Sequence, residues 1–255
     1  MSGIDGITTG YEDRFDFPAY GSAPPIRYLL ASVPRAGSTW LSHQLWATGC
    51  LGAPLEYLNF EPGGHGSSAT HNPAAQDVVW RRSLQFRTSP NGVYGLKVFP
   101  AMLHDLQQSN PKLLTEVMRF MAGPESPRKM VRLRRRDRDA HAISLARASL
   151  SGIWRKEQED IGVQPEPGFS EVAVQRCRRS LDHQDAAWDA MCADLRITPL
   201  DLWFEDALTN PSQTIVKVGD YLGVAVDAAA AITVPAIEQQ AQDGPREWAR
   251  KLAGG

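Results

Sequence analysis

The residues best equipped for chemistry fall in two basic turns and around one carboxylate. Pro34-Arg35-Ala36-Gly37-Ser38-Thr39 follows a short apolar run and leads into a helical pattern that opens with Ser38, Thr39 and Trp40. A turn between a strand and a helix start presents backbone N–H groups and the positive end of the helix dipole, which suits an anion. Arg35 adds a fork of donors matched to phosphate or sulfate, Ser38 and Thr39 add hydroxyls, and Gly37 lets the backbone approach closely. A helix cap with a solvated arginine is the plainer reading of the same residues. The lysine of the nucleoside-triphosphate spelling Gly-x-x-x-x-Gly-Lys-Ser/Thr is missing. A second turn, Arg134-Arg135-Arg136, again links an apolar run to a helical pattern, with Ser144 two turns into it. Two such turns fit a ligand with two separated anionic ends. A solvated basic face, or a nucleic-acid patch over Arg128–Arg138, is the competing reading of this run.

Glu56 stands in Leu55-Glu56-Tyr57-Leu58, a short turn after the first helix. A carboxylate against that apolar wall is expected to have a raised pKa, suited to a general base; the alternative is an exposed loop carboxylate. Lys97 ends a strand candidate on the same side, as a contact for a reacting group or as a lysine whose stem packs at a strand edge. Trp154, beside Arg155, is either a stacking face for a sugar or a packed core residue. His65, His71 and His104 have no metal-ligand spacing, and no metal site is expected.

The elements that must position these residues alternate in type. Ile26 to Ser32, Tyr94 to Phe99, Arg128 to Arg135 and about Pro199 to Phe204 read as strands. Ser38 to Thr48, Pro111 to Gly123, Asp137 to about Gln158, Glu171 to Leu195 and a segment from Asn210 to Gly223 read as helices, with Asn210 as N-cap and Gly223 past the end. Alternation of this kind argues for an α/β domain with a parallel sheet. Asn59 to Asp77 and Glu159 to Ser170 are loop-rich insertions of the kind that shape substrate sites. Residues 1–25 are expected to form a loosely held, flexible arm before a single domain over 26–255.

Composition narrows the setting. The 255 residues are 42% hydrophobic and 22% charged, with a net charge of −2. That balance argues against broad binding to nucleic acid. Cys50, Cys177 and Cys192 are scattered, so a reducing compartment is the simpler expectation. No signal peptide or membrane-length apolar run is present, so the expectation is a cytoplasmic protein and not an integral membrane protein.

Taken in order, "LASVPRAGSTWLSHQLWATGCLGAPLEYL", "YGLKVF", "LRRRDRDAHAISLARA", "IWRKEQ", "PLDLWFEDAL" and "QQAQDGPREWARK" resemble the bacterial carbohydrate sulfotransferases that use 3'-phosphoadenosine 5'-phosphosulfate, of the trehalose 2-sulfotransferase and Nod-factor type. The resemblance runs from about Tyr28 to Trp248. It implies a P-loop-like, three-layer α/β domain with a central, mainly parallel sheet flanked by helices. It implies transfer of a sulfuryl group to a hydroxyl of a carbohydrate, glycolipid or glycosylated natural product, without a metal. The residues Arg35 to Trp40 (Arg35, Ala36, Gly37, Ser38, Thr39, Trp40) would hold the 5'-phosphosulfate, with Arg35 also catalytic. Arg135 or Arg136, with Ser144, would hold the 3'-phosphate that remains on the product, adenosine 3',5'-bisphosphate. Glu56 matches the catalytic Glu, and Lys97 and Trp154 fall at acceptor positions. The same resemblance suggests a homodimer. Pro100, His141 and Gln239 depart from the family's usual residues, which bears on the acceptor pocket and donor affinity. A P-loop-type small-molecule kinase and a nucleic-acid-binding protein are the alternatives; the missing lysine and the near-neutral charge weigh against them.

Overall fold

The computed structural model describes residues 7–62, 64–160, 166–237, 240 and 243–254. Among these, four short strands form the sheet: β1 (Ile26–Ala31), β2 (Val93–Val98), β3 (Lys129–Arg134) and β4 (Leu200–Trp203). All neighbours are parallel, in the order β2-β1-β3-β4. Parallel strands need crossover helices, and those helices cover both faces. Tyr28 and Leu30 of β1 pack with Leu41 and Leu45 of α1 (Ser38–Ala47) and with Val218 and Leu222 of α9 (Pro211–Leu222). Leu29 and Ala31 point the other way, into a larger cluster with Val117 of α4 (Pro111–Ala122), Ile143 of α5 (Arg138–Ser151) and Trp188 of α7 (Glu171–Leu195). The period-two alternation of one strand thus serves two helical layers. The remaining helices are α2 (Pro73–Phe86), α3 (Pro100–Ser109), α6 (Lys156–Asp160), α8 (Phe204–Thr209) and α10 (Asp243–Gly254). None is long and apolar enough to cross a membrane among the described residues.

Local chemistry explains where the helices begin. Side chains of Asn72, Asn110, Asp137 and Ser170 accept backbone N–H groups at the starts of α2, α4, α5 and α7. Each such cap is worth about 1 kcal/mol. Asn210 does stand at the start of α9, but its side chain makes no capping bond.

Four expectations need correction. The helix expected from Asp137 to about Gln158 stops at Ser151, because Gly152 turns left-handed at φ 72°; Trp154 and Arg155 lie in the connection beyond it. The expected loop over Asn59–Asp77 holds only as far as Asn72, since Asn72 and Pro73 start α2. α3 was not foreseen. The arm expected over residues 1–25 is not loose from Ile7 onward: Tyr11 and Phe17 are buried in the larger cluster. Buried Arg87 holds this segment through Gly10 O at 2.8 Å and Asp16 at 3.0 Å. Residues 161–165 of the second insertion lie outside the described residues.

Candidate active site

The loop after β1 is clamped from three sides. Ala36 N–H donates to Val33 O (3.3 Å), His141 Nε2–H donates to Pro34 O (2.8 Å), and Arg135 Nη1 donates to Arg35 O (3.3 Å). Arg35 itself has φ 66°, a conformation uncommon outside glycine. Gly37 follows at φ 88°, and a Cβ there would lie 2.1 Å from the Phe204 ring. Glycine is therefore required both by the backbone and by the aromatic packed against it. Trp40 meets the same ring edge-on at 6.2 Å. α1 begins at Ser38 with no side-chain cap, unlike the helices capped above. Its first-turn amides have no intrahelical partners by helix geometry and are open to an anion.

The two basic segments, expected to hold separate ends of a ligand, meet at Arg35. Its guanidinium donates to Ser144 Oγ (3.1 Å), to Trp154 O (2.6 Å) and to Gln240 Oε1. Burial, together with the nearby cations Arg135 and Arg147, draws its pKa down to about 10. Arg135 turns inward, with its guanidinium 5.7 Å from the centre of the Phe204 ring. Arg136 turns outward into a two-pronged pair with Asp206 (2.6 and 2.7 Å) and is 49% exposed. Other arginines of the run are also engaged within the chain: Arg132 with Asp189 (2.5 Å), and Arg138 with Asp182 (2.6 Å) and Asp185 (2.8 Å).

Glu56 reaches the loop through the sheet edge. Leu55 bridges to Leu96 and its carbonyl accepts the Lys97 N–H (3.1 Å), so residue 56 falls beside Lys97. Lys97 Nζ lies 2.9 Å from Glu56 Oε1 and donates to Thr39 Oγ1 at 3.0 Å. Asn59 Nδ2 donates to Glu56 Oε2 (2.9 Å), and the Glu56 backbone N–H donates to the Tyr11 hydroxyl (2.8 Å). The expected raised pKa is overturned. Burial alone would raise the Glu56 carboxyl, but Lys97, Asn59 and His65 outweigh it and hold it below the usual carboxylate range. Lys97 is 2% exposed, not the strand-edge surface lysine of the plainer reading. Burial draws its ammonium below the usual lysine range, and Glu56 pulls the other way.

Trp154 is 44% exposed, and its carbonyl rather than its ring contacts Arg35. Beside Ser144 lies a cavity of about 1060 Å³ lined by Arg147, Lys156, Glu166, Gln240 and Arg246 among others. Among the described residues, no group of three or more His, Cys, Asp or Glu is placed to hold a metal ion. Sequence reasoning missed Tyr11, Asn59 and the buried His43, whose pKa burial lowers to about 4. His43 alone carried a signal, lying one helical turn beyond Thr39 and so on the same face of α1.

A family model described as Stf0 sulphotransferase matches residues 27–253. The trehalose 2-sulfotransferase of Mycobacterium tuberculosis is 28% identical over 87% of this chain and 92% of its own. That of Mycolicibacterium smegmatis is 23% identical over 89% and 94%. A solved sulfotransferase structure from Alicyclobacillus acidocaldarius aligns with 89% of this chain and 91% of its own, at 14% identity and a TM-score of 0.46.

Proposed function

Since this chain belongs to the Stf0 sulfotransferase family, we propose that it moves a sulfuryl group from 3'-phosphoadenosine 5'-phosphosulfate to a carbohydrate hydroxyl. The observation that carries the reading is the chain Thr39–Lys97–Glu56, which ties the anion-binding loop to a buried carboxylate. The two relatives named for trehalose support a sugar hydroxyl as acceptor, free or carried on a glycolipid or natural product.

The donor supplies the sulfuryl group and a stable phosphate leaving group. The chain's own residues do the rest. The first-turn amides of α1, with Arg35, Ser38 and Thr39, face the negative charge that builds on the leaving phosphate. Arg135 and Ser144 take the 3'-phosphate; Ser144 lines the large cavity, whose volume suits a nucleotide-sized ligand. Glu56 accepts the acceptor's hydroxyl proton on a carboxylate oxygen as the oxygen–sulfur bond forms. Pairing with Lys97 lowers its basicity but keeps it ionised and oriented, and each oxygen retains a second lone pair for the proton. Catalysis here rests on position and charge rather than on a strongly basic group.

The test is transfer of labelled sulfate from the donor to a panel of mono- and disaccharides and glycolipids, with thermal shifts for adenosine 3',5'-bisphosphate and ATP. Labelled sugar and a shift confined largely to the bisphosphate are expected. Equal shifts from both nucleotides, or magnesium-dependent ATP turnover, would overturn the reading.

A further inference from the structure

We propose that the N-terminal turn Thr9–Glu12 is a working part of the active site, with Tyr11 as the positioning residue for the Glu56 carboxylate. The turn lies outside residues 27–253, the span matched by the family model. The proposal rests on the reading of Glu56 as the base.

The turn is built to hold one shape. The Glu12 carboxylate accepts Thr9 N–H (2.7 Å), Thr9 Oγ1 (3.1 Å) and Gly10 N–H (2.8 Å). Gly10 is left-handed at φ 92°, and a Cβ there would lie 2.9 Å from the Trp46 ring, so the backbone sits flush on α1. Arg87, fully buried, donates to Gly10 O (2.8 Å) and Glu12 O (3.2 Å) from the strand side. Arg155 reaches Thr9 O from beyond α5 (3.4 Å).

What the turn presents is Tyr11. Its side chain is 1% exposed, its ring stacks on His65 at 3.7 Å and 16°, and it meets Tyr57 edge-on at 6.1 Å. Its hydroxyl accepts the backbone N–H of Glu56 at 2.8 Å. The carboxylate is thus fixed at three points: Lys97 on one oxygen, Asn59 on the other, Tyr11 on the main chain behind it. The first two hold the oxygens. Tyr11 is the side chain that holds the Glu56 backbone N–H, while the Asn59 N–H donates to Glu56 O at 3.1 Å. A buried N–H left without its acceptor would draw residue 56 away to find another. A shift of that kind degrades proton transfer, while the loop's own backbone stays held by Val33, His141 and Arg135.

Tyr11→Phe removes one oxygen and keeps the ring packing. We expect kcat toward a carbohydrate acceptor to fall roughly tenfold, the effect of one buried hydrogen bond, with the affinity for adenosine 3',5'-bisphosphate unchanged. Amide hydrogen exchange in the peptide spanning residues 55–58 should quicken, a readout independent of turnover. The double variant with Glu56→Gln should turn over no more slowly than Glu56→Gln alone, because Tyr11 acts through that carboxylate. Glu12→Ala, which opens the turn, should reproduce the kcat loss. Parental turnover in Tyr11→Phe, unchanged exchange at 55–58, or losses that multiply in the double variant would each overturn the proposal. Failure of the base reading shows separately, as parental turnover in Glu56→Gln, and takes this proposal with it.

Discussion

Lys97 decides what kind of carboxylate Glu56 is. Burial alone would raise the Glu56 carboxyl; Lys97 outweighs it and holds the group below the usual carboxylate range. Glu56→Gln keeps the size and the bond to Lys97, and Asn59 turns its amide to match. Buried Lys97 loses its counterion, so the fold should survive at lower stability and bisphosphate affinity should hold, while turnover falls about 10²–10⁴-fold, in kcat and kcat/KM together. Steady-state kinetics at saturating donor measure it. Lys97→Met makes the complementary case. In the parent, the depressed Glu56 pKa adds stability that is present above about pH 4.3, the unfolded value, and is lost as pH falls through the folded one. In the variant the carboxylate is buried without its cation, at a cost of about 3–5 kcal/mol near neutrality. Protonation relieves that cost, so the variant's stability deficit should shrink from pH 7.5 to pH 4.5. Any residual turnover should lose its acid limb at a higher pH than the parent. Denaturant titrations and pH–rate profiles check both. None of this was legible in the sequence. Leu55, Tyr57 and Leu58 suggested an apolar wall, and those side chains are buried, but the carboxylate turns from them toward Lys97 and Asn59.

At the scale of elements, the start of α1 and the end of β3 converge through Phe204 of α8. Gly37→Ala would set a methyl into that ring and strain a left-handed backbone. The expected result is a lower Tm and loss of bisphosphate binding. Adding Phe204→Ala should recover part of the stability but not the share due to backbone strain. Thermal melts of the single and double variants separate the two. At the end of β3 the two neighbouring arginines point different ways. Arg135 turns toward the loop and Arg136 toward Asp206 at the surface. Arg135→Ala should weaken adenosine 3',5'-bisphosphate about tenfold or more, and an analogue lacking the 3'-phosphate far less; Arg136→Ala should change neither. Calorimetric titration of the two ligands distinguishes these outcomes. The strands and the helices α1, α4, α7 and α9 were readable because periodicity and helix-end residues are local properties, whereas α2 and α10 were not read despite the Asn72 cap of α2. α3 escaped because Pro100 was weighed as a departure from the family pattern, whereas it stands at the first turn of a helix, where its missing N–H costs nothing.

Across the whole molecule, three partly or fully buried histidines make the protein sensitive to acid. Burial, the largest cause in each, lowers His43 and His141 to about 4 and His65 to about 3. A folded pKa below the unfolded value of about 6.5 means that stability is complete above that pH and is lost as pH falls toward the folded pKa. For His43 and His141, both nearly inaccessible, the loss by pH 4 is on the order of 3 kcal/mol each. The Tm should fall steadily below pH 6.5. His141→Gln should flatten that fall, since an amide can still donate to Pro34 O but does not titrate. Melts from pH 4 to pH 8 on the two proteins are the check.

The amino-acid sequence by itself determined the parts that repeat or abut along the chain. These were the α/β alternation, the Pro34–Thr39 turn, the basic turn at Arg134–Arg136, the long α7 helix and the family resemblance carried by ordered blocks. Tertiary structure alone decided how those parts meet. The Tyr11–Glu56, Thr39–Lys97 and Arg35–Ser144 bonds join residues 45, 58 and 109 positions apart. Contacts at such separations leave no period in the sequence. Their energies depend on burial and on the partner's charge, and neither exists until the sheet brings the segments together. For that reason an apparently loose N-terminal arm became a wall of the site, and a carboxylate expected to be weakly acidic became a held anion.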